Sequence, residues 1–170
     1  TLTMIEASKY PEKLQSLFYA AGFADYAVLV VEALNAAFGE TLLMLDCIGI
    51  KEGVIVLTNF ITEDQIKRFI KGTVLENYKI MQDDLPRLRE LLMDRAEHLP
   101  RGETSEIGGV VVDHFFNVRG IGAVALGVVR WGQIHKHDKL TAYPTSLVGQ
   151  VRSIQKHDDD FETSEIGDRV

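Results

Sequence analysis

The chain has 170 residues, 46% of them hydrophobic, a formal net charge of −7 and a single cysteine, enough apolar material for one ordinary core or two small ones without disulfide or metal staples. A lone cysteine favours a reducing, cytoplasmic compartment, and apolar runs shorter than the ~20 residues of a membrane helix exclude a helical membrane span. With 10 basic against 15 acidic residues up to Pro100 and 8 against 10 beyond it, there is no basic field for non-specific phosphate binding, so any nucleic-acid contact must be shaped by a site.

From residue 1 to 98 short apolar runs alternate with helical patterns. LTMIEA, YAVLVVE, GVIVLTN and YKIM read as strands, while PEKLQSLFYAAGF, NAAFGETLLMLDCIG, TEDQIKRFIK and LPRLRELLMDRAEHL read as helices. Such alternation is the pattern of βαβ units, so the first domain is α/β with a mainly parallel sheet and flanking helices. Asn35 is the expected N-cap of the second helix and Gly49 its stop; Thr62 and Gln65 form a capping box before the third. Cys47, inside LLMLDCIGI, reads as a small buried hydrophobe.

Residues 99–109, around PRGETSEIGG, read as a polar linker. Beyond it VVVDHFFNV, GAVALGVVRWG, DKLTAYP, GQVRSIQ and GDRV alternate with Gly, Asp and Pro, which is the rhythm of a small antiparallel β-barrel over 110–170. The pattern stops where another strand should run, so the barrel is expected to be incomplete. Gly120, Gly122 and Gly127 fit the corners and tight turns of strongly bent strands, which need backbone positions without a Cβ.

These residues carry a resemblance. The second half resembles the second domain of elongation factor Tu and, more closely, of the archaeal selenocysteine-specific elongation factors: Arg119-Gly120-x-Gly122, Gly127, Gly132, HDKL, YPT, VRSIQKHDDD and GDRV run collinear. The first half is similar to the latter part of the same family's GTPase domain, with weaker motifs. Together they resemble archaeal elongation factor Tu domain 2 proteins of the translational GTPase family. The resemblance implies that the surface of Asp113, His114, Phe116 and Ala123 faces the aminoacylated 3′ end of tRNA. The family's acidic pair is here Asp113-His114 and its threonine is Ala123, which brings no hydroxyl donor. Arg119 and Arg130, beside Gly120 and Gly122, are the candidate phosphate contacts to tRNA or the ribosome.

GTP chemistry is tested residue by residue. After the strand that matches LTMIEA the family places an Asp, two residues, a Gly and a His; the matching positions are Glu6, Lys9 and Tyr10. The family's Asn-Lys-x-Asp becomes Asn59, Phe60, Ile61 and Thr62, so only the Asn survives, and the phosphate-cradling G-x-x-x-x-G-K-[ST] is absent. The expectation is a degenerate GTPase-like domain without a cofactor, part of a non-hydrolysing translation module. Two alternatives stand beside it: a functional factor holding GTP and magnesium, with its phosphate loop outside this chain, and an interaction scaffold unrelated to the ribosome.

No catalytic residue of another class is apparent. G-x-S-x-G, H-E-x-x-H and the Gly-rich turn of dinucleotide enzymes are all missing. His135 and His137 form an H-x-H pair without a third ligand at a sensible spacing, so no metal is expected. Asp158, Asp159 and Asp160 read as a solvated turn, and Trp131 as a cover for the barrel end. The sequence sets no oligomeric state.

Overall fold

Three parallel strands organise the first part of the chain: β1 (Ala27–Val31), β2 (Gly53–Leu57) and β3 (Lys79–Gln82), ordered β1-β2-β3. The coordinates are a computed structural model in which residues 3–98 and 107–170 are described. The chain divides into two compact units, Thr1–His98 and Leu99–Val170. Most of the expected linker, 99–106, lies outside the described residues.

All five residues of β2 are buried, as expected of a central parallel strand covered on both faces, and this is why its sequence is an unbroken apolar run. One face of the sheet carries Leu29, Ile55 and Leu57. It is covered by Phe38, Leu42 and Leu45 of α2 (Ala36–Ile48), by Ile66 and Ile70 of α3 (Glu63–Ile70), and by Leu75 in a 3-10 turn (Val74–Asn77). On the other face Val54, Val56 and Met81 pack with Leu88 of α4 (Leu85–His98). A fourth helix, α1 (Leu14–Phe23), adds Ala21 to the larger cluster. The caps follow the sequence. Asn35 Oδ1 accepts from the Phe38 N–H at 3.0 Å, Gly49 ends α2 at φ 81°, and Gln65 Oε1 accepts from the Thr62 N–H at 2.9 Å in a capping box.

Two expectations for this unit fail. Residues 3–7 of LTMIEA form no strand, and Met4 and Ile5 are exposed. A strand is held by its ladder, and among the described residues none lies alongside to pair with it. Cys47 is exposed rather than buried. At 3.6 residues per turn it stands roughly 200° around α2 from Leu45, off the stripe of Phe38, Leu42 and Leu45 that meets the sheet.

The second unit is antiparallel. Its strands are β4 (Gly109–Val118), β5 (Gly122–Trp131), β6 (Gln133–His135), β7 (Lys139–Ala142), β8 (Leu147–Gln150), β9 (Ile154–Lys156), β10 (Asp159–Phe161) and β11 (Thr163–Glu165). They pair as β4 with β5, β7 with β8, β9 with β10 and β6 with β11. The last residues run along β5: Val128 bridges Arg169, the Gly127 N–H donates to the Val170 carbonyl at 2.8 Å, and the Val129 N–H to that of Asp168 at 3.0 Å. Val129, Ile134 and Ile154 form the core, flanked by Val110, Leu140, Val151 and Val170. Among the described residues these ladders do not join into a closed barrel.

Several details depart from the pattern. GQVRSIQ is not one strand, because the Val151 N–H and carbonyl bond to Asp138 and His137, and left-handed His137 (φ 73°) ends that ladder. The same turn keeps His137 off the strand of His135, so the two imidazoles do not share a strand face. Of the acidic run only Asp158 (φ 67°) is in a turn; Asp159 and Asp160 belong to β10. Trp131 is half exposed and its indole lies over Gly109, where a Cβ would fall 2.1 Å from the ring.

Candidate functional site

Two groups of positions carry the functional expectations, one in each unit. In open α/β sheets ligands bind beyond the carboxyl ends of the strands, and in the first unit those ends are stitched together by side chains. Thr58, just past β2, donates from its N–H and its Oγ1 to the Val31 carbonyl, at 3.1 and 3.2 Å. Asn59 Nδ2 donates to the Glu32 carbonyl at 3.1 Å. Asn59 (φ 50°) and Phe60 (φ 62°) are both left-handed, and the Ile61 N–H closes onto the Thr58 carbonyl at 3.0 Å. Asn suits the first corner of such a turn, whereas a bulky residue at the second is strained. Phe60 is 99% exposed. Thr62 is occupied as the cap of α3.

Glu6 and Lys9 are exposed, with the Lys9 N–H 3.4 Å from Ser16 Oγ. Tyr10 reaches the first turn of α2. Its hydroxyl donates to the Ala37 carbonyl at 2.7 Å, and Glu40 Oε2 lies 3.1 Å away as a second acceptor. Burial raises the phenol above its ordinary range, the Thr41 hydroxyl opposes this, and Glu40 adds to it. The structure therefore brings Asn59 and Tyr10 onto the same β1–α2 connection, Glu32 at its start and Ala37 at its end. It does not bring Thr62 there.

In the second unit the candidate residues lie along the β4–β5 hairpin. Register passes from Val112 opposite Gly127 to His114 opposite Leu126, which leaves Asp113 as the extra residue of a β-bulge. Gly127 is required there, since a Cβ on it would come within 2.4 Å of the Val111 carbonyl oxygen. Asp113 is engaged: Arg169 Nη2 lies 2.7 Å and His114 Nδ1 3.3 Å from its carboxylate. Partial burial pushes this carboxyl up, but hydrogen bonds and charge from Arg169 and His114 outweigh it and hold the group below its ordinary value. Phe116 pairs across to Val124 and remains 45% exposed, while Ala123 faces Asn117.

The hairpin turns through Arg119, Gly120 (φ 85°) and Ile121 into Gly122 (φ 108°), and the Ile121 N–H donates to the Val118 carbonyl at 3.1 Å. Arg119 is exposed at this tip, whereas Arg130 sits at the other end of β5 and is engaged in an interaction of its own. The two arginines named from sequence are therefore not neighbours. A residue that sequence reasoning missed takes the second place: Arg152 Nη1 donates to the Ile121 carbonyl at 2.9 Å across a separation of 31 residues. Its only sequence signal was a basic residue in VRSIQ with no acid beside it. Among the described residues no group of three His, Cys, Asp or Glu side chains is placed to hold a metal ion, and no helix is long and apolar enough to cross a membrane.

No family model matches the chain. An uncharacterized protein of Methanocaldococcus jannaschii is 34% identical over 166 residues, which are 98% of this chain and 53% of that protein. The selenocysteine-specific elongation factor of the same organism is 26% identical over 188 residues, 99% of this chain and 40% of that protein, and elongation factor 1-alpha of Aeropyrum pernix is 24% identical over 209 residues, covering 99% and 48%. The chain thus spans about half the length of the curated relatives it matches, or somewhat less. Among solved structures, translation elongation factor SelB of Methanococcus maripaludis in complex with the GTP analogue GppNHp superposes with a TM-score of 0.73 at 25% identity, over 94% of this chain and 40% of that one. A bacterial selenocysteine-specific elongation factor superposes at 0.79 with 21% identity, over 94% and 30%, a likeness of fold.

Proposed function

From the premise that this is a translational GTPase-related chain, we propose that it is a cytoplasmic, translation-associated binding module that acts with tRNA or the ribosome and does not hydrolyse GTP. In this reading the second unit is an elongation factor Tu-type barrel left open along one side. The observation that carries the proposal is the state of the Asn59 turn. Its one retained recognition side chain donates to the Glu32 carbonyl, the lysine position is a fully exposed Phe60, and the guanine-reading carboxylate position is Thr62, a helix cap. Tyr10, where the family keeps a histidine for the attacking water, is bonded to α2.

The missing carboxylate alone weighs heavily. A charge-assisted hydrogen bond is worth roughly 1.5 to 3 kcal/mol, so the two that an Asp accepts from guanine amount to about 3 to 6 kcal/mol, or roughly a hundredfold to ten-thousandfold in affinity. Calorimetric titration with GTP, GDP and ATP in magnesium tests the reading, and co-sedimentation with ribosomes tests the partner. No preference for guanine is expected. Micromolar GTP binding, clearly preferred over ATP, would overturn it.

A further inference from the structure

The described basic side chains of the second unit fall into two groups. Lys136 pairs with Glu162 at 2.9 Å, Lys156 with Asp168 at 2.9 Å and Arg169 with Asp113 at 2.7 Å, and Arg130 is engaged as well. Arg119, Lys139 and Arg152 form no ion pair with any described carboxylate, and of these Arg119 and Arg152 meet at one place, the tip of the β4–β5 hairpin.

We propose that Arg119 and Arg152 form a phosphate clamp at this tip, and that its ligand is the phosphodiester backbone of a structured RNA. The inference rests on the proposed role with tRNA or the ribosome, and it adds the residues and the chemistry of contact. Arg152 spends one N–H on the Ile121 carbonyl and keeps the rest of its planar fork for a ligand, already held in place. A guanidinium fixed in this way loses less side-chain freedom on meeting a phosphate than one that is free to swing, and the fork matches two phosphate oxygens at once. Arg119 projects from the same three-residue turn. Between them the turn is bare: a Cβ added at Gly120 or Gly122 would meet nothing within 4 Å, so a bulky sugar-phosphate chain can approach the backbone. In a chain of net charge −7, two arginines without acids beside them are a local exception to the overall field, which is the form a site-shaped nucleic-acid contact must take.

The test is fluorescence anisotropy of the full chain with labelled bulk tRNA and with labelled small-subunit ribosomal RNA, over a series of salt concentrations. Arg119→Ala and Arg152→Gln should each weaken binding about tenfold and lower the slope of log affinity against log salt by roughly 0.7 to 0.9, with the losses adding in the double variant. Far-UV circular dichroism and the thermal midpoint of each variant, expected to match wild type, separate loss of the contact from loss of fold. Arg152→Lys should keep the slope and lose affinity, because the charge remains and the fork does not. Wild-type slope and affinity in the double variant would overturn the clamp and leave the functional reading standing. Absence of saturable binding of either RNA by the wild type would remove both. Full displacement of RNA by millimolar inorganic phosphate at constant ionic strength would assign the arginines to free phosphate and overturn the RNA assignment.

Discussion

Replacing Tyr78 by Phe should produce a stability difference that changes sign with pH. Tyr78 is only 5% exposed; its hydroxyl donates to the Ile50 carbonyl at 2.7 Å, and its ring lies so close to Gly53 that a Cβ there would fall 2.3 Å from Cε2. Burial, with a smaller contribution from Tyr26, pushes the phenol from 10.0 up to about 12. The folded value is raised, so the stabilisation is complete below the unfolded value and is lost as pH climbs from 10.0 towards about 12. At about 1.4 kcal/mol per pH unit, the loss across that window is at most about 3 kcal/mol. At neutral pH the Phe variant lacks one hydrogen bond and should be less stable by about 1 kcal/mol. It has no phenol to ionise, so near the top of the window it should be the more stable protein, by roughly 1 to 2 kcal/mol. Urea unfolding followed by far-UV circular dichroism, at neutral pH and inside the window, measures both differences; groups distant from Tyr78 titrate alike in the two proteins and cancel, and Tyr26, which is coupled to it, adds a smaller difference. A wild-type advantage that is the same at both pH values would refute the reasoning.

Phe60→Gly should raise the thermal midpoint slightly, by the equivalent of about 0.5 kcal/mol, because the left-handed strain is relieved at a side chain that packs against nothing, partly offset by the greater freedom of glycine in the unfolded chain; a clear fall in midpoint would mean that Phe60 has a packing role. Asp113 has a lowered pKa, so its contribution is present above its ordinary value of 3.8 and is lost as pH falls through the folded value. Asp113→Asn should therefore cost stability at neutral pH, by roughly 1 to 2 kcal/mol since Arg169 is left without its anion, and the gap to wild type should narrow in acid; a gap that does not depend on pH would contradict the ion pair.

The sequence made some of this legible and not the rest, for physical reasons. Helix ends were readable because caps are local: Asn35, Gly49, Thr62 and Gln65 act on backbone groups within a few residues. β2 was readable because burial on both faces leaves an unbroken apolar run. LTMIEA misled because β-propensity states only that a segment fits a ladder, and the ladder is a neighbour the segment does not encode. GQVRSIQ misled for a related reason, since its break is imposed by His137, more than a dozen residues earlier in the chain. In the candidate site, the glycines of the hairpin could be read from their spacing. Arg152 could not, because its importance lies in a contact 31 residues away.

The same distinction between local and distant contacts bears on what the first unit can do. A nucleotide site works because donors and acceptors at the strand ends are left open for the ligand, at a cost in stability that binding repays. Here those groups already have partners. Thr58 and Asn59 hold the Val31 and Glu32 carbonyls, and Tyr10 holds Ala37. The bond to Glu32 takes one N–H of Asn59 and fixes the orientation of its amide, and a ligand that needs another orientation must break it, at about 1 kcal/mol net, more where the carbonyl is left dry. The strand ends of this unit are therefore tied to the β1–α2 connection by these side chains. Under the proposed function recognition falls to the second unit, where the clamp proposed for Arg119 and Arg152 stands at the hairpin tip.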